Sequence, residues 1–334
     1  MRQMLVSFLC GCLLTAALQA QESISFVVRE DGSATMTVTQ EGQETPDTYS
    51  LSPKAVTFLV PLTLEEYFKA ESQGKFSISR FQGEEKEVAA YQSALEMTTE
   101  QVTRLAKQRA EFEKNSVTAH SSFLRKLTQF DHLSEEEVTR LDQDARRIMR
   151  GEVDSGQALL RDILTEEQFT RLQEMELALP SQDGENLPFV NLEAYRSLEL
   201  SEEQQKKLDS VQKEFEAETR NWTQSFTKFL NDGKEFSPEK IEALNTLVEK
   251  SEQLKARMKA RVLAFLTPEQ TAKYEKLLAE WPPKFKKLQE DWLARQKEKG
   301  PEDDAWKKSW KPGDPVPEGA VPPLIKNRVF PFGG

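Results

Sequence analysis

The sequence predicts a mainly α-helical protein: two tandem helical units forming an extended helical bundle or cradle, preceded by a small α+β module. Three observations carry this reading. One short motif recurs six times, its spacing repeats as a block, and the residues between copies place apolar side chains at a helical period. The motif reads MTTEQ from Met97, LSEEE from Leu133, LTEEQ from Leu164, LSEEQ from Leu200, FSPEK from Phe236 and LTPEQ from Leu266. Each copy is an apolar residue, then Ser or Thr, with Glu or Gln three places after the hydroxyl in all but the fifth. That is a capping box, in which the hydroxyl accepts from an orphan first-turn N–H and the Glu or Gln accepts from the cap's own N–H. Pro238 and Pro268 fall at the first helical position, where the missing N–H costs nothing.

Consecutive copies start 36, 31, 36, 36 and 30 residues apart, so three helix starts recur in the same order at an offset of 103 and then 102. At that offset Glu111-Phe112-Glu113 falls on Glu214-Phe215-Glu216, Ser122-Phe123 on Ser225-Phe226, and Leu105, Leu127 and Leu141 on Leu208, Leu230 and Leu244. A helical unit of roughly 80 residues is duplicated. The units span 97–179 and 200–281, joined by a linker at 180–199 that contains Asp183-Gly184 and Pro188.

Residues 1–20 are expected to be a cleaved signal peptide, with Arg2, an apolar run from Met4 to Leu18 and small residues near Ala20. A lipoprotein signal using Leu9-Cys10-Gly11-Cys12 is the nearest alternative, with a very short apolar run before Cys12. Both cysteines lie in this segment, so the mature chain carries no thiol for disulfides, catalysis or metal. The expected location is periplasmic or secreted.

Residues 21–96 form the small α+β module. Ile24 to Arg29 and Ala34 to Gln40 are β-prone runs around Glu30-Asp31-Gly32-Ser33, a hairpin signal. Ala55 to Val60 and Lys75 to Phe81 are further strand candidates, with a short helix at Leu64 to Glu71. The module holds 13 acids against 6 bases, the composition of a solvated acidic face.

In the units, Leu105, Phe112, Val117, Phe123, Leu127 and Phe130 mark one stripe, and Leu208, Val211, Phe215, Trp222, Phe226 and Leu230 mark its counterpart. Such a helix, at about 28 residues, runs about 42 Å and needs a partner surface. Gly151 and Gly156 are expected to interrupt the middle helix of the first unit. Trp281-Pro282-Pro283 closes the second unit, followed by a C-terminal helix at 282–299 and a Pro-rich tail at 300–334. The tail composition reads as extended or disordered, with Phe330 and Phe332 as residues able to dock on a groove.

Catalytic chemistry is sparse. His120 and His132 are the only histidines, no HxxxH or HExxH spacing offers a zinc site, and no glycine-rich phosphate loop or nucleophile elbow occurs. The expectation is a protein that is not an enzyme, with no cofactor and no metal. The formal net charge of −11, or −12 once Arg2 leaves with the signal, argues against nucleic acid as partner. Nothing after the signal is apolar enough to be a transmembrane segment.

The L[ST]xEQ motif at both ends of a unit, as in Leu200 to Gln204 and Leu266 to Gln270, resembles the LTxxQ signature of the Spy/CpxP family of bacterial envelope proteins. Lys234 to Lys276 is the closest stretch, and the likeness covers residues 97–281. Family members are small helical proteins that dimerise into a cradle and act as ATP-independent chaperones or as negative partners of envelope stress sensors. This chain differs in carrying the unit twice, in its preceding module and in its acidic charge. The resemblance implies holding of unfolded or partly folded proteins on a surface of Phe112, Phe123, Phe215, Trp222, Phe226 and Met258, with Arg257 and Arg261 as a basic rim. The alternative is a non-catalytic interaction or stress-sensor scaffold that binds a specific envelope partner. Either a homodimer or an intrachain pseudo-dimer satisfies the duplication.

Overall fold

Local cap chemistry sets the helix starts. Thr98, Ser134 and Thr165 each accept from the N–H three residues on, and the side chains of Gln101, Glu137 and Gln168 accept in turn from the cap N–H. Ser201 with Gln204 and Thr267 with Gln270 do the same. The computed structural model describes residues 22–29, 33–40, 47–72, 81, 85–179, 191–230, 238–298, 305–317 and 320–322, so the cap of the fifth copy, Ser237, lies outside the described residues. The chain runs β1 (Glu22–Val28), β2 (Ala34–Gln40), β3 (Asp47–Leu51), α1 (Pro53–Ser72), α2 (Glu85–Ala94), α3 (Thr99–Thr128), α4 (Glu135–Ile163) and α5 (Glu166–Ala178). It continues through α6 (Glu202–Leu230), α7 (Pro238–Leu263), α8 (Pro268–Glu298) and α9 (Ala305–Ser309), with short 3-10 turns at Phe130–His132 and Glu193–Leu198. The fold is mainly α, with a small α+β module at the N-terminal end.

The three strands form one antiparallel sheet in the order β1-β2-β3, with Val28 opposite Ala34, and Ala34 opposite Leu51. Ala34, Met36 and Leu51 are buried while Thr35 and Thr37 are half-buried, the period of two expected of a sheet with one covered face. The apolar run from Ala55 is helix rather than strand. Ser52 accepts from the Ala55 N–H at 3.2 Å and Pro53 takes the first helical position, so a cap and an N1 proline override the β-prone composition. Ala55, Leu59, Leu62 and Glu66 are buried at helical spacing along α1. Residues 73–80, most of the fourth strand candidate, lie outside the described residues.

Helix α1 is a wedge. It packs against α6 of the second unit and α4 of the first. One continuous core runs from Ala34 and Met36 in the sheet through both units to Phe285 in α8. The units also meet directly: α5 packs on α8, α2 packs on α8, and the turn Glu193–Leu198 packs on α5. The segment leading into each unit therefore lies on the closing helix of the other, an intrachain pairing of the two units.

Three expectations are corrected. Helix α4 is continuous through Gly151 and Gly156, because Leu141, Ala145, Met149, Leu160 and Ile163 bury one face and outweigh about 1 kcal/mol of glycine propensity at each position. Helix α8 is continuous through Pro282 and Pro283. Trp281 and Phe285 hold its buried side, while Leu278 and Ala279, whose carbonyls lose their helical donors, are exposed to water. The tail is not extended throughout, since Ala305–Ser309 is helical, and it packs on the fold, with Val316, Ala320 and Val321 buried; Phe330 and Phe332 lie outside the described residues.

Candidate interaction surface

The two units are closed by the same device. Gln101 Nε2 donates to Gln168 Oε1 at 2.7 Å and to the Ile163 carbonyl at 2.8 Å. Gln168 Nε2 donates back to Gln101 Oε1 at 3.2 Å and to the Leu95 carbonyl at 2.9 Å. In the second unit Gln204 Nε2 donates to Gln270 Oε1 at 2.6 Å and to the Phe265 carbonyl at 2.8 Å. Gln270 Nε2 returns the bond at 3.0 Å and reaches the Glu199 carbonyl at 3.2 Å. Each amide thus uses both donor protons, while its oxygen accepts from its partner and from its own cap. Glu96 and Glu199, at the same place in the two repeats, adopt φ of 53° and 59°, turning the chain into the cap. Arg171 bridges to Glu96 at 2.9 Å and Lys273 to Glu199 at 3.0 Å, repeating the ion pair as well.

Against this frame, the residues that the family likeness implicates fall in different places. Phe215 is 1 % exposed, Met258 0 % and Phe123 5 %, so all three belong to the core and present no surface to a client; for them the surface reading is corrected to packing. Trp222 is half-buried against the same core. The side chains of Phe112 and Phe226 lie outside the described set. Arg257 pairs with Glu218 and Arg261 with Glu214, so two cations one turn apart on α7 meet two carboxylates one turn apart on α6. The basic rim is a neutralised ladder between antiparallel helices.

A second charged cluster joins α1 to both units. Arg150 holds Glu66 at 2.6 and 2.8 Å, and Arg146 reaches Glu66 at 3.0 Å, Glu65 at 3.1 Å and Asp142 at 3.0 Å. Arg220 of α6 adds a bridge to Glu65 at 3.4 Å. Burial pushes the Glu66 carboxyl up, but hydrogen bonds and charge from Arg150, then Arg146, outweigh it and hold it below the usual carboxylate range. A carboxylate held ionised in this way anchors a helix and does not donate protons near neutrality. Sequence reasoning missed this cluster. Its signal was the line Asp142, Arg146, Arg150, in steps of four, beside the buried line Leu141, Ala145, Met149.

Burial, then the neighbouring Tyr274 hydroxyl, raises the Tyr195 phenol, which therefore stays neutral. Among the described residues no grouping of His, Cys, Asp and Glu has the form of a metal site, and no helix is long and apolar enough to cross a membrane. The large hydrophobics exposed among the described residues are Val27, Leu278 and Leu293, one in the sheet and two fifteen residues apart in α8. No family model, curated protein or solved structure matches the chain.

Proposed function

We propose that this is a non-catalytic interaction protein of the envelope, a rigid double-unit helical scaffold exported by residues 1–20, that binds a specific partner. One observation carries the choice over client holding: where side chains are described, the apolar stripe of the duplicated helices is turned inside the molecule, with Leu208, Val211 and Phe215 of α6 and Met258 and Val262 of α7 buried and Trp222 half-buried. A surface that retains unfolded chains needs a contiguous accessible apolar patch, and the exposed large hydrophobics of the described residues are scattered. The paired arginines of α7 support the same reading, since their charge is already matched.

The test is suppression of aggregation of a chemically denatured model protein by the full mature chain, without nucleotide. The expected result is no suppression at near-stoichiometric ratio. Suppression would overturn the scaffold reading and return the role to client holding.

A further inference from the structure

Residues 305–317 and 320–322 lie across α2 and the start of α3. Val316, 1 % exposed, donates its N–H to Thr103 Oγ1 at 3.1 Å and clusters with Val102 and Ala320, flanked by Met97, Trp306 and Trp310. Val321 joins Val88, Ala89 and Trp292, and Lys307 reaches Glu85 at 3.4 Å. The shape of the segment is preset. Lys311 to Asp314 closes a turn, with the Asp314 N–H donating to the Lys311 carbonyl at 2.9 Å and Gly313 at φ 102°, as a Pro-Gly type II turn requires. Trp310 Nε1 donates to the Asp314 carbonyl at 3.1 Å and locks the first tryptophan turn to the next.

Two features set this contact apart from the rest of the fold. Its buried residues form clusters of their own, joined to the main core through the half-buried Met97, so the segment can leave with little disturbance of that core. The duplication also supplies an internal comparison. At an offset of 103, Val102 and Thr103 fall on Gln205 and Lys206, which are exposed, and Lys107, which packs on Gly313, falls on Ser210. At the Val102 position the first unit has a buried apolar residue where the second has an exposed polar one. Val102 also packs on Met97 at the staple position of its cap, and Val316 and Ala320 of the tail close over the same pair.

We propose that α2 and the start of α3 form a binding groove for a segment carrying two tryptophans four apart followed by a Pro-Gly turn and a Pro-Val-Pro, and that the tail occupies it in cis, through residues 305–317 and 320–322, as a displaceable competitor. The partner it fits is a protein segment of that same chemistry. Such a segment loses little conformational entropy on docking, because its turn and its prolines restrict it beforehand. Tethered through residues 299–304, the internal copy acts at an effective concentration in the ~mM range, so an outside segment binds only where the tail is out. The proposal rests on the reading of the chain as an interaction protein.

The probe is a fluorescein-labelled peptide of residues 305–322, followed by anisotropy. The protein is the full chain with a site-specific protease sequence in place of residues 299–304. Cleavage followed by gel filtration should tighten peptide binding at least tenfold over the uncut chain. Val102→Gln, which installs the residue of the second unit, should weaken it at least tenfold with unchanged circular dichroism. Glu85→Lys should weaken it too, and a peptide carrying Lys307→Glu should restore part of the loss. Equal binding before and after cleavage, no binding to a cut chain of unchanged circular dichroism, or indifference to Val102→Gln would overturn the proposal. Hydrogen exchange on the uncut chain gives an independent readout: the Val316 N–H should exchange well before that of Leu105, and exchange at the global rate would overturn displaceability. Such failures leave the aggregation result standing, whereas suppression in that assay removes the scaffold reading instead.

Discussion

Gln101 and Gln168 form a reciprocal amide pair, 2.7 Å in one direction and 3.2 Å in the other, across 67 residues of chain. The same side chains cap their own helices, so one residue type performs a local and a long-range task. The first prediction separates them. Glutamate at this position caps a helix equally well, as Glu137 does for Ser134. A carboxylate, however, donates to neither the Leu95 carbonyl nor Gln101 Oε1. Gln168→Glu should therefore destabilise by about 1–3 kcal/mol at neutral pH, with the loss shrinking in acid as the protonated carboxyl regains one donor. Urea melts of variant and parent at two pH values measure both; no destabilisation at neutral pH would show the clasp to be energetically idle.

Glu66 sits 6 % exposed between Arg146 and Arg150. Glu66→Gln should cost about 1.5–3 kcal/mol at neutral pH, the range for hydrogen bonds to charged groups. Because the folded carboxyl is depressed below its ordinary value of 4.5, its contribution is present above that value and is lost as pH falls through the lower folded value. The gap between parent and variant should thus be widest near neutrality and close in acid. A gap independent of pH would mean that the carboxylate charge does not carry the effect.

Phe215 and Arg261 were grouped by the family likeness, and the structure separates them. Phe215→Ala empties a core position and should cost about 3–5 kcal/mol with an unchanged denaturant slope. Arg261→Ala removes a surface pair with Glu214 and should leave the melting curve nearly where it was. Equal effects would contradict the burial assigned to the two side chains.

Gly151 is exposed in the middle of α4, with nothing within 4 Å of where a β-carbon would stand. Gly151→Ala should stabilise by roughly 0.5–1 kcal/mol, since it restricts the unfolded chain and meets no obstacle. A destabilised variant would indicate that the helix breaks at this residue after all.

What was legible in the sequence follows the range of the interactions. Thr98, Ser134, Thr165, Ser201 and Thr267 were readable as caps because each acts within four residues, and the offset of the repeats exposed the duplication without reference to shape. The Ala55 run was misread because a short apolar stretch fits a buried strand and a buried helix equally, and the cue that decides, Ser52 with Pro53, stands before it. Pro282 and Pro283 were read as a break because local cost was weighed without the burial of Trp281 and Phe285, which offsets it.

The sequence by itself determined the capped helix starts at Thr98, Ser134, Thr165, Ser201 and Thr267, the twofold unit and the absence of thiols from the chain after residue 20, since each is a property of neighbouring residues or of composition. Only the tertiary structure decided that α1 wedges between the units, that closing helices α5 and α8 meet, that Phe215 is buried, and that the tail returns to α3. Periodicity states that a stripe must be covered but carries no record of what covers it. That choice is made by shape and charge between residues far apart in the chain, as where Glu66 meets Arg150.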